Sequence, residues 1–174
     1  MIRTLLCFLL TSVLLPATAQ TLTLKGKTYP ATDSWDFICE QYALSGSAQV
    51  QIAKTEKGGL LQLSVETANT ANVISGTVYV FLADHSTITC SDKGIREIKD
   101  GQIMGYYMFT AAEINKLKTV EIASIHFNIK GNGQRFNSQL GNFTAVNRKT
   151  YFATAFDKSK KSHDTAVAIS KLYQ

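Results

Sequence analysis

This chain has little proline and little cysteine, 2 Pro and 3 Cys in 174 residues. So few cysteines exclude a disulfide-dense scaffold. No His or Cys stands at ligand spacing from Cys39 or Cys90, which leaves no metal site to propose. A nucleophile elbow of the Gly-x-Ser-x-Gly kind is absent. Gly131-Asn132-Gly133 has neither the Lys-Ser/Thr pair nor the following helix of a phosphate loop, so it reads as a turn and no cofactor is implied. Internal repeats and low-complexity blocks are missing. So is the interleaving of basic and aromatic residues that reads nucleic acid.

Long apolar runs are also missing, with one exception at the N-terminus. Met1-Ile2-Arg3 supplies a positive start, and Leu5 to Leu10 and Val13 to Leu15 an apolar stretch. Pro16 breaks that stretch, and Ala17-Thr18-Ala19 has the small-x-small form of a cleavage site. The run is too short to cross a bilayer core of ~30 Å. Residues 1–19 are expected to be a cleaved signal peptide, and residues 20–174 a single β-rich domain, exported to the periplasm or the outside, with no transmembrane segment left after cleavage. Cys39 and Cys90 would survive cleavage, and in an oxidising compartment such a pair is expected to form a disulfide. Closing a loop of that length would stabilise the fold by ~4 kcal/mol.

Charge is modest, with 18 Lys and Arg against 13 Asp and Glu. The excess lies late, at Arg148, Lys149, Lys158, Lys160 and Lys161, and reads as a solvated basic face rather than a polyanion site.

What the sequence does have is short alternating runs. Leu22 and Leu24 precede a turn at Gly26-Lys27, and Pro30 closes that segment. Trp35, Phe37 and Cys39 alternate with polar neighbours, and Trp35 reads as a core residue beside the disulfide. Ala48, Val50 and Ile52 share one face. Lys54 to Gly59 turns the chain, and Leu61, Leu63 and Val65 return inward while Gln62, Ser64 and Glu66 face water. Val78 to Leu82 is apolar on both faces, as a central strand would be. Asp84-His85-Ser86, Asp92-Lys93-Gly94 and Asp100-Gly101 are turn signals. The aromatic residues Tyr79, Phe81, Tyr106, Tyr107 and Phe109 are read as core, with a ligand groove as the alternative.

Thr110-Ala111-Ala112-Glu113 has the spacing of a capping box, with Phe109 and Ile114 at the positions of a hydrophobic staple. A short helix over about 111–118 should bury Ala111, Ile114 and Leu117. Glu121 to Ile129 alternates as a strand. Tyr151 to Phe156 fits strand or helix. The tail after Ser162 or Asp164 admits a helix facing inward through Ala166, Ile169 and Tyr173.

The run from Val78 to Cys90, and the run from Tyr107 through Thr110-Ala111-Ala112-Glu113 to Phe127, resemble small exported β-rich proteins of Gram-negative bacterial envelopes. The shared motif is strand, capped short helix, strand. The resemblance implies a periplasmic or surface address and carries over no catalytic residue.

The fold expected is mainly β: an antiparallel β-sandwich or partly closed barrel with one short capped helix and a C-terminal one. The function expected is a non-enzymatic envelope or secreted module that binds a protein, glycan or lipid partner. Two alternatives stand beside it. A small secreted hydrolase would draw on Asp84, His85 and His126, with Ser86 and Asp92 in reach of the same triad logic. A carrier would hold an apolar ligand inside the sandwich.

Overall fold

A computed structural model of the chain describes residues 20–39, 46–131, 140–150 and 160–174. The expected signal segment, the Asn132-Gly133 part of the expected turn, Lys158 and the ambiguous stretch Tyr151 to Phe156 lie outside the described residues.

Among the described residues the chain is mainly β, with antiparallel sheets and two short helices. The strands are β1 (Thr21–Leu24), β2 (Lys27–Pro30), β3 (Trp35–Cys39), β4 (Ser47–Thr55), β5 (Gly58–Glu66) and β6 (Val73–Leu82). They continue with β7 (Thr87–Cys90), β8 (Arg96–Lys99), β9 (Gln102–Thr110), β10 (Ile122–Lys130) and β11 (Gly141–Val146). The helices are α1 (Ala111–Leu117) and α2 (Thr165–Leu172). β1 and β2 form a separate hairpin, and the other strands form one sheet in the order β7-β6-β10-β11-β3-β4-β5-β9-β8.

That sheet curls until its two ends face each other. Gly105 of β9 lies so close to β6 that a Cβ there would stand 3.3 Å from Cβ of Ile74. Arg96 of β8 donates from Nε to the Ile74 carbonyl at 2.7 Å. The ends meet through side chains rather than a ladder, so the architecture is sandwich-like and the barrel is not closed.

Period-two alternation fills the space between. Phe37, Val50, Leu63, Val80, Ile125 and Phe127 are among the inward residues of one continuous core, and Trp35 is buried there as expected. A second, smaller cluster lies outside the sheet. The β1–β2 hairpin lays Leu22, Leu24 and Ala31 over Ala53, Leu60 and Tyr106 on the outer face of β4, β5 and β9. Its turn residues Lys25 and Gly26 have φ of 49° and 78°, the backbone handedness that suits a two-residue hairpin.

The capping box forms as its spacing predicts. Glu113 N–H donates to Thr110 Oγ1 at 3.3 Å, and the Thr110 amide donates to Glu113 Oε2 at 2.7 Å. Ile114 and Leu117 are buried, but Ala111 is exposed, because the first turn of α1 projects beyond the sheet. The Gly58-Gly59 pair also differs from expectation. The turn falls on Glu56 and Lys57, and the glycines open β5 instead. A Cβ at Gly59 would stand 2.5 Å from Ile114 Cδ1, and one at Gly58 would strike the Phe109 carbonyl oxygen. Their bareness lets α1 sit down on β5. Ser64 is fully buried rather than wet, between its long register neighbours Gln49 and Met104.

The expected disulfide is not formed. Cys39 and Cys90 are both buried free thiols. They sit on β3 and β7, with β11, β10 and β6 between them. Their strands are not neighbours in the sheet, so no cross-strand register brings the two Cα atoms within the ~7 Å that a disulfide needs. Burial pushes the Cys39 thiol up to about 11 and the Cys90 thiol up to about 12.

A thiol-specific chromogenic reagent should therefore leave Cys39 and Cys90 untouched in the native protein at pH 8 and modify both after denaturation without reductant. If denaturation alone exposes neither, the chain carries the bridge. Replacing Thr110 by Ala should lower stability by about 1 kcal/mol in urea unfolding, with the slope m unchanged. Equal stability would mean that the box contributes nothing.

Candidate functional site

The residues of the hydrolase alternative are held apart. Asp84, His85 and Ser86 form the turn between β6 and β7, where Asp84 Oδ1 accepts from Ser86 Oγ at 2.6 Å and from its amide at 3.1 Å. His85 takes a left-handed φ of 66°. The Lys116 ammonium beside Asp84, with the Ser86 bonds, holds that carboxyl well below the usual carboxylate range. Asp84 therefore ties the end of α1 to this turn and stays ionised. His126 lies on β10 opposite Tyr79. The end of β6 at Leu82 is roughly 10 Å further along that strand, and Asp84 lies beyond it. The third histidine, His163, has Nε2 3.2 Å from the Asp36 carbonyl and stacks on Phe37 at 6.1 Å. Among the described residues no imidazole is hydrogen-bonded to a carboxylate, and no group of His, Cys, Asp and Glu is placed to hold a metal.

Asp92 belongs to the seam of the sheet. Its carboxylate accepts from the Gly76 and Gly94 amides, each at 2.7 Å, and pairs with the Arg96 guanidinium. Arg96 in turn holds the Ile74 carbonyl. Gly76 and Gly94 have φ of 83° and 69°, conformations that glycine adopts without steric cost and that turn both amides toward one carboxylate. Burial works against the charge on Asp92, but the Gly94 and Gly76 amides and Arg96 outweigh it and hold its pKa below the ordinary Asp value.

Sequence reasoning missed a second polar cluster, which seats α2. Asp164 precedes α2 but makes no side-chain cap bond, being paired with Lys160. Glu121 does that work from the start of β10. Its Oε2 accepts from the Ala166 amide at 2.9 Å and from Thr165 Oγ1 at 2.6 Å. Thr165 Oγ1 accepts from the Ile122 amide at 2.9 Å. Asn147 donates from Nδ2 to the Ile122 and His163 carbonyls at 2.8 and 3.0 Å and accepts from the His163 amide at 2.7 Å. These partners are over 15 residues apart, so no local pattern announces them.

The remaining candidate is a surface. The β1–β2 hairpin covers one half of the outer sheet face. On the other half, β7, β6, β10 and β11, Tyr79 is 43% exposed. Cross-strand register sets Thr89, Tyr79, His126 and Thr144 in one row, and Asn128 opposite Asn142 in the next. The His126 ring packs on Phe81 with centroids 4.4 Å apart. Thus Tyr79 and Phe81 face outward rather than filling a core, because β6 is sandwiched on its inner side only. The rows border an open cleft of about 310 Å³ lined by Tyr79, His126, Asn128 and Asn142, with Thr77 and Thr144 at its sides.

No family model, curated protein or solved structure matches this chain.

Two other clefts are also open to solvent. One of about 360 Å³ lies between the hairpin and β9, with Lys27, Tyr29 and Met108 among its walls. One of about 230 Å³ lies beside β8, under Ile98 and Met104. The first carries a lysine already paired with Glu56 at 3.3 Å. The second is bordered by Arg96, which is committed to the seam. The cleft by Tyr79 and His126 differs from both in having no Asp, Glu, Lys or Arg in its lining.

Replacing Asp92 by Asn should cost about 1.5–3 kcal/mol at pH 7, as expected for hydrogen bonds to a charged group. A lowered folded-state pKa contributes stability above the unfolded Asp value of ~3.9 and loses it as pH falls through the folded value. Urea unfolding of the two proteins should therefore converge below pH 4. A constant gap from pH 7 to pH 2 would remove Asp92 from the seam.

Proposed function

We propose that this chain is an exported, non-enzymatic binding module whose partner seats on the outer face of β7, β6, β10 and β11. Export is supported by the order of charge, apolar run and small-x-small site over residues 1–19. No helix among the described residues is long and apolar enough to cross a membrane.

The observation that carries the binding reading is the uneven covering of one sheet. A hairpin shields the outer face of β4, β5 and β9 with its own apolar cluster. The other half keeps Tyr79 exposed beside a ring pair, Phe81 and His126, in an open cleft. Rigid aromatic side chains on internal strands offer a large contact area with little conformational entropy left to lose. Catalysis needs a nucleophile or a poised acid and base within hydrogen-bond reach. The hydrolase alternative loses support from the separation of His126 from Asp84 and from the role of Asp92 in the seam. A carrier needs an enclosed apolar cavity, and the clefts described above open to solvent.

The test uses the full chain purified from expressing cells, immobilised beside its Tyr79→Asp variant and exposed to envelope and medium extracts of the source cells. Retention that drops by at least about fivefold in the variant, or about 1 kcal/mol, with an unchanged melting temperature, is the expected result. Equal retention by both proteins, or none by either, would defeat the assignment of this face.

A further inference from the structure

Resting on the binding-module reading above, we propose that the cleft between β6, β10 and β11 takes a neutral saccharide. The argument is one of chemistry by position. The row Thr89, Tyr79, His126 and Thr144 crosses neighbouring strands in register. At a strand spacing of ~4.8 Å it runs roughly 14 Å, an elongated track rather than a point.

Along that track the Tyr79 ring stands between threonine hydroxyl and imidazole side chains. Tyr79, 43% exposed as a residue, carries a flat ring. The electron-rich face of such a ring attracts the positive C–H edges of a pyranose. Asn128 Nδ2 donates to Asn142 Oδ1 at 2.9 Å, which uses the Asn142 acceptor and leaves its own NH₂ group as a donor. Asn128 Oδ1 is buried and has no hydrogen-bond partner. That atom is closed to the cleft, so the polar groups a ligand meets there are those of Asn142 and His126. The His126 imidazole packs on Phe81 and adds ring nitrogens at the cleft wall.

Other ligand classes fit less well. No Asp, Glu, Lys or Arg lines the cleft, so an anionic glycan or a phospholipid headgroup finds no permanent counter-charge there. An acyl chain calls for an enclosed apolar lining, and these walls are open and amide-rich. An extended peptide adds to a sheet edge, whereas β6, β10 and β11 are internal strands with both neighbours in place. A ligand rich in hydroxyls, carrying C–H faces and no charge, matches what remains.

The test is an NMR titration of the full chain, purified from expressing cells, with neutral cello-, malto- and N-acetylchito-oligosaccharides to millimolar concentration. A heparin fragment and anionic phospholipid vesicles serve as charged probes. At least one neutral saccharide should shift the Tyr79, His126 and Asn142 signals saturably. Tyr79→Ala should weaken that binding by at least about tenfold, and Met108→Ala, on the opposite half of the outer surface, should leave it unchanged. Shifts caused only by the charged probes would overturn the saccharide assignment. So would silence toward every neutral saccharide while Tyr79-dependent retention from extracts persists, and in that case the binding-module reading stands. Silence together with no Tyr79-dependent retention overturns both.

Discussion

The structure depends on how the two ends of one antiparallel sheet meet. Gly105 lets β9 approach Ile74 of β6 closely: a Cβ there would stand 3.3 Å from Ile74 Cβ, and the neighbouring walls would have to give by a few tenths of an ångström. Asp92 and Arg96 then bind the seam from β7 to β8 through the Gly76 amide and the Ile74 carbonyl. The curl follows the right-handed twist that any long sheet adopts. The seam sets where it stops, and so sets the volume that Phe37, Val80, Tyr107 and the other inward residues must fill. Partial closure leaves β7 and β8 as sheet edges, and both are short strands, as exposed edges tend to be.

A curled sheet has an inside that the core fills and an outside that needs some other solution. Here the outside is solved twice. Over β4, β5 and β9 the β1–β2 hairpin adds a second apolar layer, and Tyr106 turns its hydroxyl from that layer to Glu97 at 2.8 Å. Over β7, β6, β10 and β11 the sheet shows threonines, asparagines and two aromatic rings. The helices complete the molecule away from that face. α1 is held by its capping box, by the bare Gly58-Gly59 and by the Lys116–Asp84 pair, and α2 by Glu121, Asn147 and the Tyr173 hydroxyl, which donates to the Gly58 carbonyl at 2.6 Å.

Much of this was legible locally. Alternation placed the β4–β5 hairpin, and the Thr110/Glu113 spacing placed α1. The inward positions Ala166 and Ile169 of α2 came from helical periodicity, and Trp35 was correctly read as core. The errors share a cause. Compartment chemistry paired Cys39 with Cys90, but strand order separates them. Aromatic density drew Tyr79 and Phe81 into the core, but period two only says that they oppose Val78 and Val80. Which side is covered depends on what else packs there. Asp84, His85 and Ser86 read first as turn residues and form a turn. The hydrolase alternative joining Ser86 and His126 to Asp84 or Asp92 lost support, because proximity in sequence gives no distance between strands and each carboxylate has a structural post.

The amino-acid sequence by itself determined the alternation that makes strands, the turn at Asp100-Gly101 and the capped helix, and it placed the first hairpin turn one residue late, at Gly26-Lys27 instead of Lys25-Gly26. These rest on backbone sterics and on neighbours a few residues apart, which a linear reading contains. Only the tertiary structure decided the strand order, the free thiols, the seam at Ile74 and the half of the sheet left open around Tyr79 and His126. Those follow from contacts between residues far apart in the chain, whose free energies are settled only when the sheet has curled and the hairpin has chosen the face it covers.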